Sequence, residues 1–142
     1  MEFNKGSILK VQTTINASIE KVWKNWITPN DIIHWYVATD TWHTPRAEND
    51  FCENGKFSFR MEAKDGSFGF DFSGIYRTIL YHEYIEVLLD DGRSLDIKFS
   101  FDGNKTIVKE YFEAEKVNPI EMQQGGWQAI LNNFKIYVES SI

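Results

Sequence analysis

Apolar positions along this chain change their spacing three times. Ser7 to Thr14 (SILKVQTT) alternates and predicts a strand. Ser18 then stands where an N-cap belongs, and Ile19, Val22, Trp23, Trp26 and Ile27 follow at helical spacing as one apolar stripe. Thr28-Pro29 restarts the chain with a capping threonine and a proline at a first helical position. A short second helix is expected through Ile32 and Ile33 to Trp35-Tyr36. From Val37 to Asn49 no element is legible.

Beyond that stretch the period becomes two. Phe57, Phe59 and Met61 alternate with Ser58, Arg60 and Glu62, and Phe68, Phe70 and Phe72 alternate with Gly69, Asp71 and Ser73. Asp65-Gly66 between them signals a hairpin. A two-residue turn there sets Phe59 opposite Phe72, Met61 opposite Phe70, and Arg60 against Asp71 on the other face. Rings then meet rings and opposite charges meet, which is how cross-strand pairs stabilise a sheet. The strand should run on to Ile79, bent or bulged at Gly74. A second hairpin turns near Asp91-Gly92. An odd-length loop there brings Ile85, Val87 and Leu89 against Phe99, Ile97 and Leu95, with Glu86 facing Lys98; a two-residue loop would pair these apolar residues with polar ones. After a turn at Asp102-Gly103-Asn104 comes a strand from Thr106 to Ala114. Its more apolar face, Thr106, Val108, Glu110, Phe112 and Ala114, should point inward and take Glu110 with it.

The last element returns to the helical period. Asn118 is placed to cap, Pro119 to take the first position and Glu121 to complete a capping box. Ile120, Gln124, Trp127, Leu131, Phe134 and Val138 fall on one line of that helix. Adjacent glycines, Gly125 and Gly126, sit off the line, although each costs roughly 1 kcal/mol against alanine in a helix interior. Close approach of the helix to the two short helices, or to the loop after them, is the expected reason; a kink, or a helix that starts properly only after Gly126, is the alternative. One strand, two short helices, a run of antiparallel strands and a long closing helix make an α+β domain, expected to span residues 1–142. The sheet should curl around the closing helix, because its inward faces are aromatic and need a cover.

Composition sharpens this picture. In 142 residues there are 11 Phe and 5 Trp, and aromatics reach 15%. That load fits a thick core or a cavity walled by rings. A net charge of −6 argues against nucleic acid and anionic membrane, which both reward basic patches. No stretch approaches the roughly 20 apolar residues of a membrane span, and the first residues, MEFNKGSILKVQTT, lack a signal-peptide apolar run. With Cys52 as the one cysteine, no internal disulfide forms, and a cytoplasmic location is expected. His34, His43 and His82 lie on different elements, so no metal is expected, nor any cofactor; no glycine-rich phosphate loop or nucleophile elbow is present.

Candidate chemistry centres on Glu110. A carboxylate among Val108, Phe112 and the closing helix loses hydration, and its pKa rises unless a donor meets it. It would bind a polar group of a ligand or act as an acid or base, or else be satisfied internally by Gln124, an indole N–H or a backbone group, or sit at a wet rim. Gln124 and Glu110 are expected to form the polar end of a cavity, and Trp127 to wall it. Tyr36, Trp42, Phe59, Met61, Phe70 and Phe72 are the candidate lining residues.

The order of elements resembles the helix-grip fold, also called START-like or Bet v 1-like. Several stretches, IEKVWKNWITPNDIIHWY, GSFGFDFSGIYRTI, DDGRSLDIKF, VKEYFEAE and NPIEMQQGGWQAILNNFKIYVE, resemble the family named after the activator of the heat shock protein 90 ATPase. They occur in the expected order over nearly the whole chain. The resemblance implies a curved seven-stranded antiparallel sheet gripping the C-terminal helix, with a cavity between them. It implies no single activity. Three functions are compatible with it: binding of a small hydrophobic or amphipathic molecule, a chaperone-accessory role, and a cyclase- or hydrolase-like activity on small aromatic or polyketide-like substrates. Either a monomer or a homodimer is expected.

Overall fold

The structure is a computed structural model and describes residues 7–140; the reading of the first residues as free of a leader falls largely outside them. Strand β1 (Ile8–Ile15) is followed by α1 (Ile19–Ile27) and α2 (Pro29–Trp35). Then come β2 (Trp42–Asn49), β3 (Lys56–Ala63), β4 (Gly69–Leu80), β5 (Tyr84–Leu89), β6 (Ser94–Asp102) and β7 (Lys105–Glu113), and α3 (Ile120–Ser140) closes the chain. All seven strands form one antiparallel sheet in the order β1-β7-β6-β5-β4-β3-β2. The sheet curls into a half-barrel that grips α3; α1 and α2 pack on each other and on α3, α1 also against β6 and β7 and α2 against β2.

Local chemistry accounts for most element boundaries. The Ser18 hydroxyl accepts from the Lys21 N–H at 3.3 Å and starts α1. Thr28 occupies the junction to α2, but it does not cap α2 with its side chain. Its hydroxyl donates back to the Lys24 carbonyl at 2.6 Å and so closes α1 instead. Asn118 likewise turns its side-chain amide to Glu115 rather than into the first turn of α3.

The β3–β4 hairpin has the expected register, Phe59 with Phe72, Arg60 with Asp71 and Met61 with Phe70. Two other registers correct the expectation. The irregularity in β4 lies between Tyr76 and Thr78, not at Gly74. Gly74 serves close approach: a Cβ there would lie 2.5 Å from the Leu88 carbonyl oxygen. In the β5–β6 hairpin, Ile85 pairs with Ile97 and Val87 with Leu95, two residues tighter than expected. The odd loop keeps apolar against apolar either way. Glu86 therefore faces Asp96, not Lys98, and accepts from the Thr78 hydroxyl at 2.7 Å. Strand β2 arises where no element was legible. Its exposed residues are His43, Pro45, Arg46 and Glu48, and one buried threonine, Thr44, donates to the Tyr36 carbonyl at 2.6 Å.

The core lies between the inner sheet face and the second half of α3. Leu131, Phe134 and Val138 are fully buried, and Phe134 packs its ring against Trp35 and Trp26 at centroid separations of 4.5 and 4.9 Å. One flank of α3 runs along the free edge of β1. Gln124 Nε2 donates to the Lys10 carbonyl, Gln128 Nε2 to that of Gln12 and Lys135 Nζ to that of Thr14. Alternate carbonyls of an edge strand, open to pairing with another chain, are thus satisfied by helix side chains.

The glycine pair does not serve close approach. A Cβ at Gly125 or Gly126 would meet nothing within 4 Å. Gly125→Ala and Gly126→Ala should each therefore stabilise the fold by about 0.5–1 kcal/mol in urea denaturation, since only helix propensity is changed. Destabilisation by either would mean that the helix packs more closely there than its surroundings indicate.

Candidate functional site

Alternation along β7 turns Glu110 to the inner face, between Ile97 on β6 and Val11 on β1. The residue is 3% exposed. Burial raises its pKa to about 8, and no hydrogen bond or opposite charge among the described residues offsets that rise. At neutral pH the carboxyl is mostly protonated and can both donate and accept a hydrogen bond. Tyr36, at the end of α2, is also buried. Its phenol pKa is pushed well up, first by burial and then by the charge of Glu110, so it too keeps its proton.

The small space around Glu110 is walled by Trp35, Tyr36, Phe59, Phe72 and Ile97 and amounts to about 20 Å³, room for about one water. A larger groove of about 230 Å³ opens outside it, under the first turns of α3. Met61, Phe70, Trp127 and Ile130 line the groove, with Arg93, Glu115, Asn118 and Gln123 on its polar side. Tyr36 and Phe72 line both spaces, and their rings, 5.7 Å apart, stand between groove and inner space. Trp127 lies flat on Phe112 at 4.1 Å and meets Phe72 edge-on at 5.9 Å.

The candidate residues therefore divide. Tyr36, Phe59, Phe72 and Glu110 meet at the inner space; Met61, Phe70 and Trp127 meet at the groove. Trp42 joins neither. Its ring is 6.0 Å from Phe68 and from Phe70, in a partly exposed aromatic cluster at the end of the β3–β4 hairpin. Gln124 does not join Glu110, because it is taken up at the edge of β1. Its neighbour Gln123 is the buried one. Gln123 donates to the carbonyls of Glu115 and Asn118 and accepts from the Glu115 N–H at 2.8 Å, tying the β7–α3 connection beside the groove. Arg93 was also missed, although alternation back from Leu95 places it on the inward face; its place at the groove follows only from the fold.

Among the described residues no group of three or more His, Cys, Asp or Glu is placed to hold a metal ion, and no helix is long and apolar enough to cross a membrane. His34 stacks on Tyr137, His43 lies 3.7 Å from Glu62, and His82 packs against Trp23.

A curled seven-stranded antiparallel sheet around a long C-terminal helix, with two short helices after the first strand, defines the helix-grip class of START-like domains. Within that class the chain belongs to the family described as activator of Hsp90 ATPase homolog 1-like protein, whose model matches residues 16–139. The chain is similar to an AHSA1-like protein from Aeromonas hydrophila, with 40% identity over 93% of each chain and a TM-score of 0.84. A Cytophaga hutchinsonii protein is 46% identical, over 96% of this chain and 93% of that one, with a TM-score of 0.81. A Chromobacterium violaceum protein shares the fold at 18% identity, with a TM-score of 0.84 and coverage of 95% and 99%. No curated protein matches the chain.

Proposed function

We propose that this protein binds a small, largely apolar molecule in the groove beneath the first turns of α3, with Glu110 as the polar group at its inner end. One observation carries the reading. The groove lined by Trp127 and Ile130 shares two walls, Tyr36 and Phe72, with an inner space beside a buried carboxyl that no described residue satisfies. Buried polar groups are normally hydrogen-bonded, so an unanswered one at the end of a groove points to a partner from outside. The apolar body of the guest belongs in the groove, since the inner space holds only about one water. To reach Glu110 directly, a guest must part Tyr36 from Phe72; otherwise a water relays the contact. A chaperone-accessory role would rest on the family's description alone.

Nile red, an uncharged apolar dye, tests the reading. Saturable binding with one site per chain is expected. Ile130→Trp, which fills the groove from a half-buried wall position, should abolish it without lowering the unfolding temperature. Uptake that is absent in the wild type, or unaffected by the filled groove, would count against the site.

A further inference from the structure

The inward face of β6 begins one step before the strand itself. Arg93, Leu95, Ile97 and Phe99 alternate with outward residues, and Arg93 takes this face to the groove mouth. Its side chain is only 20% exposed. Nε donates to Asp91 Oδ2 at 2.8 Å and Nη1 to the Glu113 carbonyl at 3.2 Å, which fixes the plane of the guanidinium. Nη2 is given no partner by the described residues.

Asp91 accepts from Arg93 itself, on Oδ2 from Nε and on Oδ1 from the backbone N–H at 3.1 Å, but it is 54% exposed and lies outside the groove wall. Glu115, the one acid on that wall among the described residues, accepts the Asn118 backbone N–H on Oε1 at 2.7 Å and the Asn118 side-chain amide on Oε2 at 3.2 Å. Arg93 is the one cation on that wall among the described residues. Met61, Phe72 and Trp127 line the same groove, so apolar surface and a fixed guanidinium share one space. A planar, oriented fork of N–H donors suits a carboxylate, and partial burial strengthens such a bond.

Resting on the groove reading above, we propose that the ligand is an amphipathic organic acid, its carboxylate on Arg93 and its apolar or aromatic body between Phe72, Met61 and Trp127. The guest then enters body first and leaves its charge at the rim, so no ion has to be carried into the interior.

Three probes with the same ring separate this proposal from the groove itself: 2-naphthoate, 2-naphthamide and 2-naphthylmethylammonium, measured by calorimetry. The wild type should bind the carboxylate at least about tenfold more tightly than the other two. Arg93→Gln should erase that margin while leaving 2-naphthamide binding in place, and Arg93→Lys should keep part of it. Equal binding of all three, a lead for the ammonium probe, or a margin that survives Arg93→Gln would each overturn the acid but leave the groove standing. Loss of 2-naphthamide binding in Arg93→Gln would also count against the proposal, since Arg93 would then be shaping the groove rather than meeting a head group. No binding of any probe by the wild type would remove both readings.

Discussion

Glu110→Gln is expected to make the protein more stable, and increasingly so as the pH rises. In the unfolded chain this carboxyl ionises near 4.5, whereas burial in the fold raises its pKa to about 8. Between those values the folded state binds the proton more tightly than the unfolded state does. Stability linked to Glu110 is therefore fully present below pH 4.5 and lost as the pH climbs toward 8, at about 1.4 kcal/mol per pH unit. Glutamine is an uncharged stand-in for the protonated acid and buries the same kind of polar head, so the variant omits that loss. The difference should be small near pH 4, about 3 kcal/mol at pH 7, and level at about 5 kcal/mol above pH 8. Urea denaturation of both proteins from pH 4 to 9 measures it. A difference that does not change with pH would show that the carboxyl does not titrate inside the fold. The same change should weaken a ligand whose polar group meets Glu110, so stability and binding are expected to move in opposite directions at this one position.

Phe134→Ala should have the largest destabilising effect of any single truncation in α3. The ring is fully buried and packs on Trp26 and Trp35, and removing it leaves a cavity in the middle of the core. About 3–5 kcal/mol is expected by urea denaturation. Ile136→Ala, two residues on but 62% exposed, should fall within about 0.5 kcal/mol of wild type, as should Met122→Ala, also 62% exposed. This contrast tests a division of labour along the helix. Its second half is core, while its first turns, with the glycine pair, lie over the groove and bury little. If Met122→Ala matched Phe134→Ala, the first turns would be core as well.

Where one face of an element is buried, the sequence was readable. Strands β3, β5, β6 and β7 follow from alternation, and α1 and the buried half of α3 follow from the helical period. Register was readable only where both faces carried information. Rings on one side and the Arg60/Asp71 pair on the other fixed β3 against β4. For β5 against β6, apolar residues pair with apolar ones in either of two registers, so alternation set the parity but not the loop length. Strand β2 was illegible because it is an edge strand with little inward surface and a proline within it.

The site was legible in part for the same reason. Period two alone carried Glu110 inward, and would have carried Arg93 inward had the alternation been followed back past the start of β6. A helical wheel is coarser: its line admitted Gln124 and missed Gln123, because the choice between them depends on how α3 lies against the edge of β1.

By itself, then, the sequence determined the α+β class and the inward carboxyl, since both depend on spacing along a local element and on which face must leave water; the family came instead from the resemblance of whole stretches. Tertiary structure alone decided that the space around that carboxyl is barely the size of a water and that the larger groove lies outside Tyr36 and Phe72. It alone also placed Arg93 at the groove's rim. Volume between packed elements depends on the distances at which they settle, and no local periodicity encodes those distances.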